Sequence, residues 1–239
     1  MSDASFSRAA AWAAIAALPL SLGCLVLMLV SVHFNVNALT NTLILLRAGT
    51  RSASWWRASM ILDALGYYLF IIPLFIYLRS QLRPAAPNWI DLSTLGLLAS
   101  CVMGAVGATI LATVVPTLIR AFAHASTPAQ LTSLRVTFTS YSDAIYRGIW
   151  DLFDVMVAAV GWLGFAAVLR ARQPKFARGA FVIGAACVLT ALGTVLNVEA
   201  IAQVGLGVYL LVSPVWAAWV GGALLRTTSA PFLSSGTAT

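Results

Sequence analysis

Five of the seven acidic residues, Asp63, Asp143, Asp151, Asp154 and Glu199, border or interrupt long apolar runs. A carboxylate in such a setting must pair, be hydrated or take up a proton, because an isolated charge in lipid costs several kcal/mol. Asp63 follows Arg57 by six positions and precedes Tyr67 by four, a spacing that puts Tyr67 on the same helical face. Two chemistries fit it: a site for a ligand or a proton, or a hydrogen bond or ion pair that locks its segment to a neighbour. Asp143, Arg147 and Asp151 recur at steps of four, with Asp154 three further on, so the four fall along one helical stripe. The plainer reading is an ion-pair ladder starting at Asp143 and Arg147. The sharper one groups Asp151 and Asp154 with Asp63 and Glu199 around a vestibule. Glu199 itself ends the turn Asn197-Val198-Glu199, where a solvated turn residue suffices.

His33 and His124 lie in different connections, with no HxxxH, HxxE or ExxH spacing, so no metal site is expected. GxSxG, Walker and GxGxxG patterns are missing from the sequence, and no cofactor is expected either. Cys24, Cys101 and Cys187 each sit inside an apolar run and read as small hydrophobes rather than a disulfide set.

The elements that must hold these groups are membrane helices. Hydrophobic residues make up 61% of the 239 and charged residues only 9%. A water-soluble domain carries roughly 25% charge. About 20 apolar residues cross ~30 Å of hydrocarbon, and six runs meet that length: 9–32, 58–78, 92–119, 148–169, 179–198 and 200–225. The expected fold is therefore all-α, one polytopic bundle of six spans in a single membrane domain. The apolar run of the first span continues past Cys24, unlike a cleaved lipoprotein leader. Pro19 is expected to kink that helix without ending it.

Two connections are long. The first, 33–57, reads as a loop, an interfacial helix or an extension of the first span, with Leu39, Leu43 and Leu46 at helical spacing before Trp55 and Trp56. In the second, Thr127-Pro128-Ala129-Gln130 has the form of a capping box with proline at the first helical position. Leu131, Leu134, Phe138, Tyr141 and Ile145 then recur at helical steps opposite polar residues, predicting an amphipathic helix before span four. It either lies in the interface or runs into span four with a bend near Gly148. Gly104 with Ala108, and Ala180 with Gly184, supply small-xxx-small pairs for close helix packing.

A net charge of +7 on a soluble chain would point to nucleic acid. Here the basic residues fall in short loops between apolar runs, which points to lipid headgroups and topology control instead. Six spans put both termini on one side, together with eight basic residues (Arg8, Arg79, Arg83, Arg170, Arg172, Lys175, Arg178, Arg226), against six on the other. By the positive-inside rule the termini are cytoplasmic and the membrane is the plasma (inner) membrane. The five acids above then gather at, or just within, the opposite edge. Expected partners are membrane lipids, a small-molecule ligand, and a second copy of the chain or another membrane protein; nucleic acid is not among them.

The segment Asp63-Ala-Leu-Gly-Tyr-Tyr-Leu-Phe and the closing stretch from Gly205 through Pro214-Val-Trp-Ala-Ala-Trp-Val-Gly-Gly-Ala-Leu-Leu resemble an uncharacterised family of six-helix bacterial integral membrane proteins, a domain of unknown function. The resemblance implies six spans and carries no activity or site residue. From the residues, the expected function is non-enzymatic: an acidic, polar pocket facing away from the cytoplasm that takes a small polar or amphipathic ligand, as in a sensor or accessory subunit. The alternatives are a proton- or cation-coupled small-solute transporter and a membrane-embedded lipid-modifying enzyme.

Overall fold

The computed structural model describes residues 3–35 and 43–226, and every regular element among them is helical. The chain runs as α1 (Asp3–Ser31), a single turn α2 (Leu43–Leu46), α3 (Thr50–Asp63), α4 (Ile72–Leu82), α5 (Pro87–His124), α6 (Pro128–Asp143), α7 (Val155–Leu169), α8 (Pro174–Val195) and α9 (Glu199–Arg226). Wider π-wound segments, Ala64–Leu69 and Ala144–Asp154, join α3 to α4 and α6 to α7. Six continuous helices, 4–31, 50–82, 87–124, 128–169, 174–195 and 199–226, are long and apolar enough to cross a membrane.

These helices overrun the hydropathic spans because their ends are set by local chemistry, not by the edge of the apolar run. Pro87, Pro128 and Pro174 each sit in the first turn, where a missing N–H costs nothing. The Thr127 capping box forms in full: Thr127 Oγ1 accepts from the Gln130 N–H at 3.3 Å, and Gln130 Oε1 accepts from the Thr127 N–H at 3.2 Å. The amphipathic segment does not lie apart in the interface. It continues without a break into span four, through Gly148, as one helix from Pro128 to Leu169. In the first connection α1 ends at Ser31, and His33 and Phe34 turn left-handed (φ 53° and 58°). Gly49, at φ 90°, then makes the turn that opens α3. Trp55, Trp56 and Arg57 thus belong to the second spanning helix rather than to a loop, and Leu39 lies outside the described residues. Pro19 is carried inside α1, which runs on past it.

Spanning helices adjacent in sequence pack side by side, and α1 returns against α9, closing a ring of six. The half nearer the chain termini is filled by aromatic rings. Trp162 meets Trp216 edge-on at 4.9 Å and Phe75 at 5.4 Å, and Trp216 Nε1 donates to the Phe176 carbonyl at 2.9 Å. At this end Asp91 ties α5 to α4 through Arg79 (2.7 Å) and Arg83 (3.2 Å). The opposite half packs less completely and leaves a hollow between the helices.

Candidate functional site

The two π-wound segments build the hollow. Pro73 has no N–H to donate and its ring crowds the carbonyl four residues back, a conflict relieved here by a widened turn, whereas Pro19, Pro116 and Pro214 are carried inside α-helices. The chain before it takes up an extra residue, and Phe70 N–H reaches back five residues to the Leu65 carbonyl at 2.9 Å. Gly66, on this widened turn, presses on α1; a Cβ there would stand 2.6 Å from the Ser21 nitrogen. The close approach brings Asp63 beside Cys24. Cys24 Sγ donates to Asp63 Oδ1 at 3.7 Å, and Ser59, one turn earlier, donates to the Cys24 carbonyl at 3.0 Å. The second π segment is pinned to α5 at two points. Trp150 Nε1 donates to the Gly104 carbonyl at 3.3 Å, and Ser100 Oγ donates to Asp154 Oδ1.

Between these segments lies a cavity of about 400 Å³, within the range of sites that enclose small organic ligands, roughly 300–1,000 Å³. Its wall is apolar and aromatic, with Leu25, Met28, Trp56, Met60, Val115 and Leu206 among the lining residues. Asp63, Tyr67, Tyr68, Asp154 and Tyr209 line its deeper part; Asp143, Arg147, Asp151, Glu199 and Gln203 surround the end away from the termini. The aromatic packing of Phe75, Trp162 and Trp216 lies below it.

All seven sequence-derived candidates border this one cavity: Asp63, Tyr67, Asp143, Arg147, Asp151, Asp154 and Glu199. Their environments differ sharply. Asp63, Tyr67 and Asp154 are 7%, 5% and 2% exposed, so they belong to the bundle interior. Asp151 is half-buried, while Asp143, Arg147 and Glu199 are exposed at the rim. Among the described residues the ladder does not close, since no ion pair within 4.0 Å joins Arg147 to Asp143 or to Asp151. Ordering two exposed side chains gains little Coulomb energy against their lost rotamer freedom. Arg57 is likewise exposed and does not pair with Asp63.

The depth of the acids also departs from the sequence reading. With ~1.5 Å of rise per residue, Cys24 lies about 10 Å in from Ser31, which places Asp63 well below the rim. Ser100 lies about 13 Å above Asp91 on α5 by the same rise, so Asp154 sits well inside the bundle, about that far from the end where Arg79 and Asp91 pair. Hydropathy takes charges as the edge of a span. A charge that faces an internal cavity is carried deeper than that edge.

Several buried polar atoms remain unsatisfied. Among the described residues, Asp63 Oδ2, Tyr67 Oη, Trp56 Nε1 and Ser21 Oγ have no hydrogen-bond partner, and the first three of these residues line the cavity. Backbone and side-chain polar groups in protein interiors are nearly always paired, so three orphans on residues around one hollow are unusual.

Sequence reasoning missed Cys24, Ser100 and Trp56. Cys24 reads as a small hydrophobe, and only the Ser59–Asp63 step of four hinted at a polar face turned toward another helix. Ser100 carries no signal, because serine is common in apolar helices. The small-residue pairs differ from each other in what they admit. Gly104 makes room for the Tyr68 ring, which a Cβ would overlap, instead of for a neighbouring backbone. Gly184 admits both the side chain and the backbone of Leu163, whose nitrogen would stand 3.1 Å from a Cβ there. Trp216 is buried in the bundle, and Trp219 is exposed on its outer face.

Comparison with known proteins returned no match to a family model, to a curated protein or to a solved structure.

Proposed function

We propose that this protein binds a small amphipathic ligand inside its helix bundle, without chemical turnover, as a membrane sensor or accessory subunit. The observation that carries this reading is the set of three unsatisfied polar atoms on Asp63, Tyr67 and Trp56, residues that together line one apolar-walled cavity of ligand size. A structural role for Asp63 alone accounts for Oδ1, held by Cys24, and leaves Oδ2 without a purpose. The basic cluster Arg170, Arg172, Lys175 and Arg178 supports a plasma-membrane orientation with cytoplasmic termini. The cavity then opens away from the cytoplasm. The likeness to uncharacterised six-helix bacterial proteins fits this architecture and adds no activity.

Gly207 provides the test. It lines the cavity, and a Cβ there would meet nothing within 4 Å. Gly207→Trp fills the hollow from a position that tolerates a side chain. Native mass spectrometry of protein extracted with its lipids is expected to show a bound small molecule in the parent and none in the variant, at unchanged thermal stability. Glu199→Cys is expected to react with a membrane-impermeant maleimide in intact cells. Identical spectra for parent and variant would remove the binding reading, and labelling only after permeabilisation would reverse the orientation.

A carrier is the second reading. It is favoured by the placement of Asp63 and Asp154 beside the two non-α segments, deep in the bundle, since carriers build sites near the midplane from interrupted helices. Uptake into proteoliposomes of the molecule found by mass spectrometry, driven by a proton or cation gradient, would establish it over the sensor.

A further inference from the structure

Building on the cavity reading, we infer that the molecule bound there is an organic cation: an ammonium group on an apolar or aromatic body, with a hydrogen-bond-accepting oxygen. The charge balance of the lining comes first. Five carboxylates border the hollow, Asp63, Asp143, Asp151, Asp154 and Glu199, against one cationic side chain, Arg147, which is exposed at the rim. Among the described residues no cationic side chain lies within 4.0 Å of Asp63 or Asp154. An anionic ligand would meet two buried carboxylates with no counter-ion; a neutral one would leave them as they stand.

The orphan atoms add geometry to the charge. Asp63 Oδ2 is an acceptor without a donor, in a residue only 7% exposed, and Tyr67 Oη lies unpartnered one turn along the chain. An N–H of an ammonium group supplies the donor that Oδ2 lacks, and Tyr67 Oη can accept another. Trp56 Nε1 can only donate, so it calls for a lone pair elsewhere on the same molecule. Aromatic faces next to an ammonium group add cation–π attraction, worth up to about 2 kcal/mol where water is excluded. Tyr67, Tyr68 and Tyr209 all line the deeper part, beside the two acids. The apolar wall takes the body of the ligand. Together these features describe a molecule with its charge at the bottom of the hollow and its oxygen near Trp56.

Three probes of nearly equal shape separate charge from shape: tyramine (cationic), tyrosol (neutral) and 3-(4-hydroxyphenyl)propionate (anionic). All three keep a phenol oxygen for Trp56. Equilibrium binding of tritiated tyramine to the protein in nanodiscs is measured in competition with the other two. Tyramine is expected to bind at least tenfold more tightly than tyrosol, and tyrosol more tightly than the propionate. Asp63→Asn and Asp154→Asn are each expected to weaken tyramine tenfold or more while changing tyrosol by less than threefold. Equal affinities for the three probes in the parent protein would overturn the cation assignment and leave the cavity reading in place, and that arm needs no variant to fold. Tyramine affinity unchanged in folded Asn variants would do the same. If none of the three binds, and Gly207→Trp also leaves the native mass spectrum unchanged, the cavity reading falls with it.

Discussion

Ser100→Ala removes the donor that holds Asp154 inside the bundle, and its cost follows from the geometry. The bond joins α5 to the end of the second π segment, and both residues are 2–3% exposed, so solvent does not replace the lost donor. In water-soluble proteins a hydrogen bond to a charged group contributes about 1.5–3 kcal/mol. Between membrane helices the measured values are smaller, about 0.6 kcal/mol on average and up to about 1.7, because separated helices find other partners in the bilayer. The membrane figure is the proper reference, and the depth of Asp154 puts it near the top of that range. Alanine regains up to about 0.5 kcal/mol of helix propensity over serine. A net loss of about 1 kcal/mol follows, with a coupling of about 1–1.5 kcal/mol to Asp154→Ala in a double-mutant cycle. The assay is reversible unfolding in mixed micelles titrated with sodium dodecyl sulfate. Ser93→Ala is the control: Ser93 lies on the same helix and is equally buried, but its Oγ bonds the Trp89 carbonyl of its own helix at 2.6 Å. That substitution is expected to be close to neutral. A coupling below about 0.3 kcal/mol, or a control that loses as much as Ser100→Ala, would show that Ser100 does not position Asp154.

Gly104→Ala places a Cβ in the Tyr68 ring and is expected to destabilise by about 1–3 kcal/mol, whereas Gly222→Ala, with nothing within 4 Å, should stabilise by up to about 1 kcal/mol; the same detergent titration reads both. Thr127→Ala deletes the cap of α6 and should cost about 1 kcal/mol, seen as faster hydrogen exchange at residues 129–131, with Val155–Leu169 unaffected and Thr127→Ser close to the parent. Exchange that accelerates equally in both segments would mean that α6 and α7 open as one unit.

Much of the architecture was legible before any coordinates. Six apolar runs of sufficient length lead to six spanning helices because a bilayer admits few other solutions: every backbone polar group must find its partner within the segment. The Thr127–Gln130 box could be read for a similar reason, since a cap depends on four consecutive residues and nothing more distant. The stripe from Asp143 to Asp154 was equally local, and its members do border one cavity with Asp63 and Glu199. Three things needed the tertiary structure. The π windings, one ahead of Pro73 and one bonded to α5, leave no signal in hydropathy. The position of Asp154 depends on groups of another helix distant in sequence: the Ser100 hydroxyl that it accepts from, 54 residues away, and the Gly104 carbonyl that takes the Trp150 N–H, 46 residues away. The cavity itself is a property of how six surfaces fail to fill the space between them. Local periodicity can say which face of a helix is polar, but only packing decides whether that face meets a neighbour, lipid or an empty volume with unsatisfied atoms around it.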